Sequence, residues 1–186
     1  MSDGGSALLS GTTIKHAAMN RGEQPIEVRL GALLRERHLT MATAESCTGG
    51  SIAGLMTSVP GSSDYFLGGV VSYCNLVKQQ VLGVAESDLR DYGAVSRPVV
   101  EQMVRGAMRV IGADCAVATS GVAGPGGGTP TKPVGTVWMA AACGERLITQ
   151  CCHFGPRSRQ ENIQASVEAA LALLEDLLRT ESLGKQ

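Results

Sequence analysis

A chain of 186 residues with formal net charge −1 and 3% aromatic content is long enough to bury one sizeable core. It lacks the basic surface and stacking platforms that nucleic-acid binding needs. No apolar run approaches the roughly 20 residues of a membrane span, and the Gly-, Ser- and Thr-rich stretch from Met1 to about Gln24 lacks the apolar centre of a secretion signal. A cytoplasmic protein is expected, with one domain over residues 25–180 between tails at 1–24 and 181–186.

Pro25 suits the first turn of a helix whose stripe of Ile26, Leu30, Leu33 and Leu34 runs to about His38. Leu39 to Thr43 alternates weakly, as a strand does, and Ser51 to Thr57 has helical spacing. Val59 to Asp64 reads as a loop and Tyr65 to Tyr73 as a strand. Asn75 is placed to cap the next helix, and Ser87 to cap a short one ending near Tyr92. Ser96 and Pro98 open a longer helix that buries Val100, Met103, Ala107, Val110 and Ile111. Cys115 to Thr119 is a short apolar run of strand length. Val134 to Ala142 and Leu147 to Phe154 read as a hairpin turning at Cys143-Gly-Glu-Arg146. A last helix from about Ser158 to Thr180 buries Ile163, Val167, Ala170, Leu171, Leu174 and Leu178. Helices alternating with apolar strands predict an α/β fold, a three-layer α/β/α sandwich, and the closing hairpin makes its mostly parallel sheet mixed.

Six cysteines (Cys47, Cys74, Cys115, Cys143, Cys151, Cys152) form no C-x-x-C pair, and His16, His38 and His153 are scattered. That spacing supports neither a disulfide framework nor a zinc site. Thiols acting as small hydrophobes in a reducing compartment are expected, with no metal.

Three loops leave strands at the end of an α/β sheet where ligands gather. The first is Thr43-Ala-Glu-Ser-Cys-Thr-Gly-Gly50, which is either a plain helix cap, with Ser46 or Thr48 capping and Glu45 at the favourable end, or a reactive turn. The second, Tyr73-Cys-Asn-Leu-Val-Lys78, brings a tyrosine at a strand end and a lysine one turn into a helix. The third, Ser120 to Gly135, holds six glycines and three prolines and matches no P-loop, because Lys132 precedes Pro133. No histidine falls in these loops, so a Ser-His-Asp triad is poorly supported. A nucleophilic Ser46 would take Lys78, with Tyr73, as activator, since a dehydrated lysine can act as a base. Cys47 is a rival nucleophile without an evident activator.

The segments Thr43 to Gly50, Pro60-Gly-Ser-Ser63, Gly69 to Lys78, Leu82-Gly-Val84, Gly93-Ala-Val-Ser96, Ser120-Gly-Val-Ala-Gly-Pro-Gly-Gly127 and Lys132-Pro-Val-Gly-Thr-Val137 together resemble the CinA C-terminal domain family, whose stand-alone members include nicotinamide-nucleotide amidases. The resemblance implies a three-layer fold, self-association, and hydrolysis of the carboxamide of nicotinamide mononucleotide without a cofactor. It implies Ser46 as nucleophile with Lys78 and Tyr73 as partners. The candidate substrate-binding set is Glu45, Thr48, Gly49, Gly50, Asn75, Ser120, Gly121, Gly124, Gly127, Gly128 and Lys132. Arg157 and Arg159 stand where the family often has an acidic-Arg pair and receive no assigned role, although either side chain can meet a phosphate. A non-catalytic nucleotide-binding module and a Cys47-based amidase are the competing readings.

Overall fold

Five strands form one sheet in the order β2-β1-β3-β4-β5. A computed structural model describes residues 24–180, so the tails expected at the two termini lie almost wholly outside the described residues. The strands are β1 (Met41–Glu45), β2 (Phe66–Val71), β3 (Cys115–Gly121), β4 (Thr136–Cys143) and β5 (Arg146–His153). The helices are α1 (Ile26–Glu36), α2 (Ser51–Thr57), α3 (Asn75–Gln80), α4 (Glu86–Asp91), α5 (Arg97–Ile111) and α6 (Arg159–Arg179). β1 pairs in parallel with β2 and β3, whereas β3–β4 and β4–β5 are antiparallel. Four strands therefore run one way and β4 alone runs against them, which is the mixed, mostly parallel sheet expected.

The two faces of the sheet differ in side-chain size. Met41, Cys115, Val117, Val137 and Met139 meet α1, α2 and α6 in one core. On the other face Ala42, Ala44, Ala116, Ala118, Ala140 and Ala142 meet α5 through Val99, Val100, Met103, Val104 and Ala107. A row of alanines lets a helix lie close to the sheet, and the dense packing that follows stabilises both. Glu45 shares a face with Met41, and Ser46, the next residue, turns towards the alanine side. No helix among the described residues is long and apolar enough to cross a membrane.

Several local expectations are corrected. β1 extends to Glu45, so this acid belongs to the strand. Cys74, not Asn75, precedes α3, and Ala85, not Ser87, precedes α4, neither with a side-chain cap. Ser96 does precede α5, but its hydroxyl donates backwards to the Gly93 carbonyl at 2.7 Å. α6 carries a full capping box between Ser158 and Glu161. The cysteines are not all free: Cys115 and Cys143 are direct cross-strand neighbours joined as a disulfide, with Cα atoms 4.0 Å apart. The register of β3 on β4, which no residue spacing reveals, brings them together.

Candidate active site

Ser46 is the first residue beyond β1, where its amide still donates to the Thr119 carbonyl at 3.0 Å. The turn that follows is held from beneath by Glu45. Its carboxylate, fully buried, accepts from the Thr48 hydroxyl at 2.7 Å and from the amides of Gly50, Ile52 and Ala53 at 3.0, 3.0 and 2.8 Å. An anion among the free N–H groups of a helix start is favourable in charge and in hydrogen bonding. The fold-back depends on Gly49 and Gly50, whose φ angles of 62° and 99° are left-handed. Thr48 is also buried, and its hydroxyl meets that of Thr119 at 2.8 Å. Neither Ser46 nor Thr48 therefore caps α2; Gly50 occupies that position and Glu45 does the capping. Glu45 and Thr48 spend their polar atoms inside the protein, against the expectation that they touch substrate. Among the described residues, the Thr48 amide meets no acceptor, and the Cys47 amide meets only its own sulfur. Two N–H groups thus stay available beside the serine.

Lys78 enters from α3. Its side chain is only 1% exposed, yet Nζ lies 3.0 Å from Ser46 Oγ and 2.5 Å from the Ser72 carbonyl. Ser72 is itself fixed to β1, its amide donating to the Glu45 carbonyl at 2.8 Å. No carboxylate pairs with Lys78 among the described residues. Burial, which disfavours the ammonium, holds its pKa below the ordinary lysine value. A neutral amine with one N–H on Ser72 has its lone pair free for the serine proton. Cys47 is placed differently: burial pushes its thiol up to about 11, with the Thr119 hydroxyl beside it. Such a thiol is not a nucleophile near neutrality.

The geometry and the comparisons agree on kinship. The model of the CinA C-terminal domain matches residues 23–178. The chain belongs to the CinA C-terminal domain family. It is 49% identical over 151 residues to the nicotinamide-nucleotide amidohydrolase PncC of Pseudomonas putida, covering 80% of this chain and 94% of that one. It is 52% identical over 117 residues to a CinA-like protein of Thermotoga neapolitana, covering 63% of this chain but only 29% of that longer protein. Among solved structures, the competence/damage inducible protein CihA of Agrobacterium tumefaciens superposes with a TM-score of 0.80 at 40% identity, covering 82% of this chain and 93% of that one. A CinA superfamily protein of Enterobacter cloacae gives 0.79 at 30% identity over 93% and 98%.

Around the Ser46–Lys78 pair of this family member, the remaining candidates divide. Tyr73 stands 64% exposed, and its phenol oxygen accepts from Arg159 at 3.0 Å. Asn75 is the exposed first residue of α3. Ser120 is buried and donates to the Ala94 carbonyl at 2.8 Å, and Gly121 packs so tightly that a Cβ there would lie 2.6 Å from Val137. Both make contacts within the protein, Ser120 on the alanine face of the sheet towards which Ser46 turns. Gly124 offers its carbonyl to Arg159 at 2.8 Å, while Gly127 and Gly128 are exposed on the loop. Lys132 donates to the Tyr92 carbonyl at 2.6 Å, tying the loop to the start of the α5 connection. Sequence reading missed Ser72, whose backbone oxygen leaves no trace in residue type. It also missed Arg159 as a bridge, although the Ser158-x-x-Glu161 pattern fixes that arginine as the first residue of α6.

Proposed function

We propose that the chain hydrolyses the carboxamide of nicotinamide mononucleotide, releasing nicotinate mononucleotide and ammonia by serine acyl transfer. The observation that carries this reading is the 3.0 Å contact between Ser46 Oγ and a buried Lys78 without an acidic partner. The P. putida relative, covered over 94% of its length, is named for that substrate class.

Neutral Lys78 removes the Ser46 proton as Oγ bonds to the carboxamide carbon. The oxygen left with the negative charge turns to the Cys47 and Thr48 amides, donors of a kind that contributes about 3–4 kcal/mol to the transition state. The Lys78 ammonium, unstable in its buried site, gives its proton to the amide nitrogen. The carbon–nitrogen bond breaks and ammonia leaves. Lys78, neutral again, deprotonates a water that attacks the acyl ester, and the proton returns to Ser46 Oγ. Ser72 keeps Nζ pointed throughout.

Ammonia release by purified protein with nicotinamide mononucleotide tests this. Ser46→Ala is expected to lower turnover by at least about 10⁴-fold, as loss of a nucleophile does. Wild-type turnover retained in that variant would falsify the serine mechanism. Saturable binding of the nucleotide by wild type without ammonia would instead establish a non-catalytic binding module.

A further inference from the structure

Arg159 occupies an electrostatic position that the fold does not explain. It is the first residue of the 21-residue helix α6, where the helix dipole disfavours a cation. Its guanidinium is exposed and has no carboxylate partner among the described residues. Instead it donates from one nitrogen to the Gly124 carbonyl at 2.8 Å and from another to the Tyr73 phenol at 3.0 Å. Both acceptors are neutral, so the positive charge is bonded but not balanced. Gly124 belongs to the glycine-rich loop and Tyr73 to the β2–α3 connection, so one guanidinium joins two of the three loops that surround Ser46.

The bridge is anchored. Asn162, fully buried one turn into α6, donates to the Ala123 carbonyl at 3.1 Å and to the Arg157 carbonyl at 3.4 Å. This fixes the loop residue beside Gly124 and the backbone just ahead of Arg159. Tyr73 in turn follows Ser72, whose carbonyl holds Lys78 Nζ at 2.5 Å. Arg159 is therefore connected to the reacting pair through one short run of backbone. The lysine of the glycine-rich loop, Lys132, already donates to the Tyr92 carbonyl.

We propose that Arg159 is the receptor for the phosphate monoester of the substrate, and that the Tyr73 phenol holds its place when no phosphate is bound. This rests on the nicotinamide-nucleotide reading and sharpens it, because it names the residue that separates a nucleotide from its nucleoside. A dianionic phosphate offers a guanidinium two oxygens in the fork geometry it favours, and it replaces a weak neutral acceptor by a charged one. The Gly124 contact can remain and keep the side chain aimed. Tyr73, released, is then free to turn towards the substrate.

The test crosses the residue with the phosphate. Binding of nicotinamide mononucleotide and of nicotinamide riboside, which lacks only the phosphate, is measured by calorimetry on the Ser46→Ala protein with Arg159 intact, replaced by Gln, or replaced by Lys. Ammonia release from both ligands is measured in the same series with Ser46 present. Arg159→Gln is expected to weaken the nucleotide by about 10- to 100-fold, the range of a charge-assisted pair, while changing the riboside by less than about twofold. Arg159→Lys, keeping charge but not the fork, is expected to fall between. Equal losses on both ligands, or no loss on either, overturn the assignment. A protein that binds both ligands with the expected Arg159 dependence yet releases no ammonia upholds the receptor and overturns the amidase reading. One that binds neither overturns both.

Discussion

Two buried charges in this molecule are treated in opposite ways. At the seam between α1 and α6, Glu175 is 6% exposed and its carboxylate takes Arg29 at 2.9 and 3.2 Å and Arg179 at 2.7 and 3.2 Å. Between β1 and α3, Lys78 is buried more deeply and meets only a hydroxyl and a carbonyl. The first arrangement fastens two helices, because desolvating an ion is tolerable when opposite charge and hydrogen bonds replace the water. The second leaves the amine without an opposite charge, and burial pulls its pKa below the ordinary lysine value. In the proposed mechanism the paired buried charge belongs to the scaffold, and the unpaired one beside a hydroxyl belongs to the chemistry.

Replacing Lys78 by Met breaks that comparison most severely. Turnover is expected to fall by about 10²–10⁴-fold, the contribution of a positioned base, while the melting temperature at pH 7 does not drop. The sign follows from proton binding. The folded pKa of Lys78 lies below the unfolded value, so between the two the unfolded chain holds more protons and wild-type stability rises with pH. Below that window the full cost of keeping Lys78 buried is present. Any stability advantage of the Met variant should therefore shrink as pH rises towards the ordinary lysine range of about 10.4. Wild-type activity should rise with pH over the same window, as Lys78 loses its proton. Melting curves at pH 7 and 9.5, with ammonia rates at both, check the two statements. A Met variant that melts far below wild type at pH 7 would place Lys78 with the scaffold.

Glu175→Gln sharpens the other side. The variant keeps the shape and removes the charge that two arginines share. It is expected to lose about 1–3 kcal/mol of stability, the value of hydrogen bonds to a charged group, and to leave turnover within about twofold. Denaturant titration beside the ammonia assay reads both. A large loss of activity with unchanged stability would mean that the seam reports to the active site.

The two regions were not equally legible. The bodies of the helices follow from apolar stripes, and the start of α6 from Ser158 and Glu161, since both signals are local. The pairing of Ser46 with Lys78 also follows, because no histidine was near enough to compete and lysine was the base left over. The role of Glu45 did not. Capping rules look at the residue before a helix, whereas this carboxylate reaches Ile52, seven positions on, only because Gly49 and Gly50 fold the chain back. The contact of Ser120 was equally hidden: its hydroxyl reaches the Ala94 carbonyl, 26 residues back, on the alanine face of the sheet, a tertiary contact that no local pattern carries. Cys115 and Cys143, 28 residues apart, met through the register of β3 on β4.

The smallest expected effect lies beside the largest. Cys47 follows the proposed nucleophile directly, and a thiol is intrinsically the better attacking group. Its surroundings cancel that advantage: burial raises its pKa to about 11, and Glu45 adds to it, while its own backbone amide, the Thr119 hydroxyl and the nearby Lys78 only partly oppose them. At pH 7 such a group is on the order of one part in 10⁴ thiolate, by the tenfold change per unit of pKa. In the proposed mechanism Cys47 supplies its backbone amide, which the substitution Cys47→Ala retains. Turnover of that variant is expected to stay within about threefold of wild type, since no charge that develops in the reaction has been removed. A loss comparable to that of Ser46→Ala would move the nucleophile one residue along the turn and leave Lys78 serving a thiol.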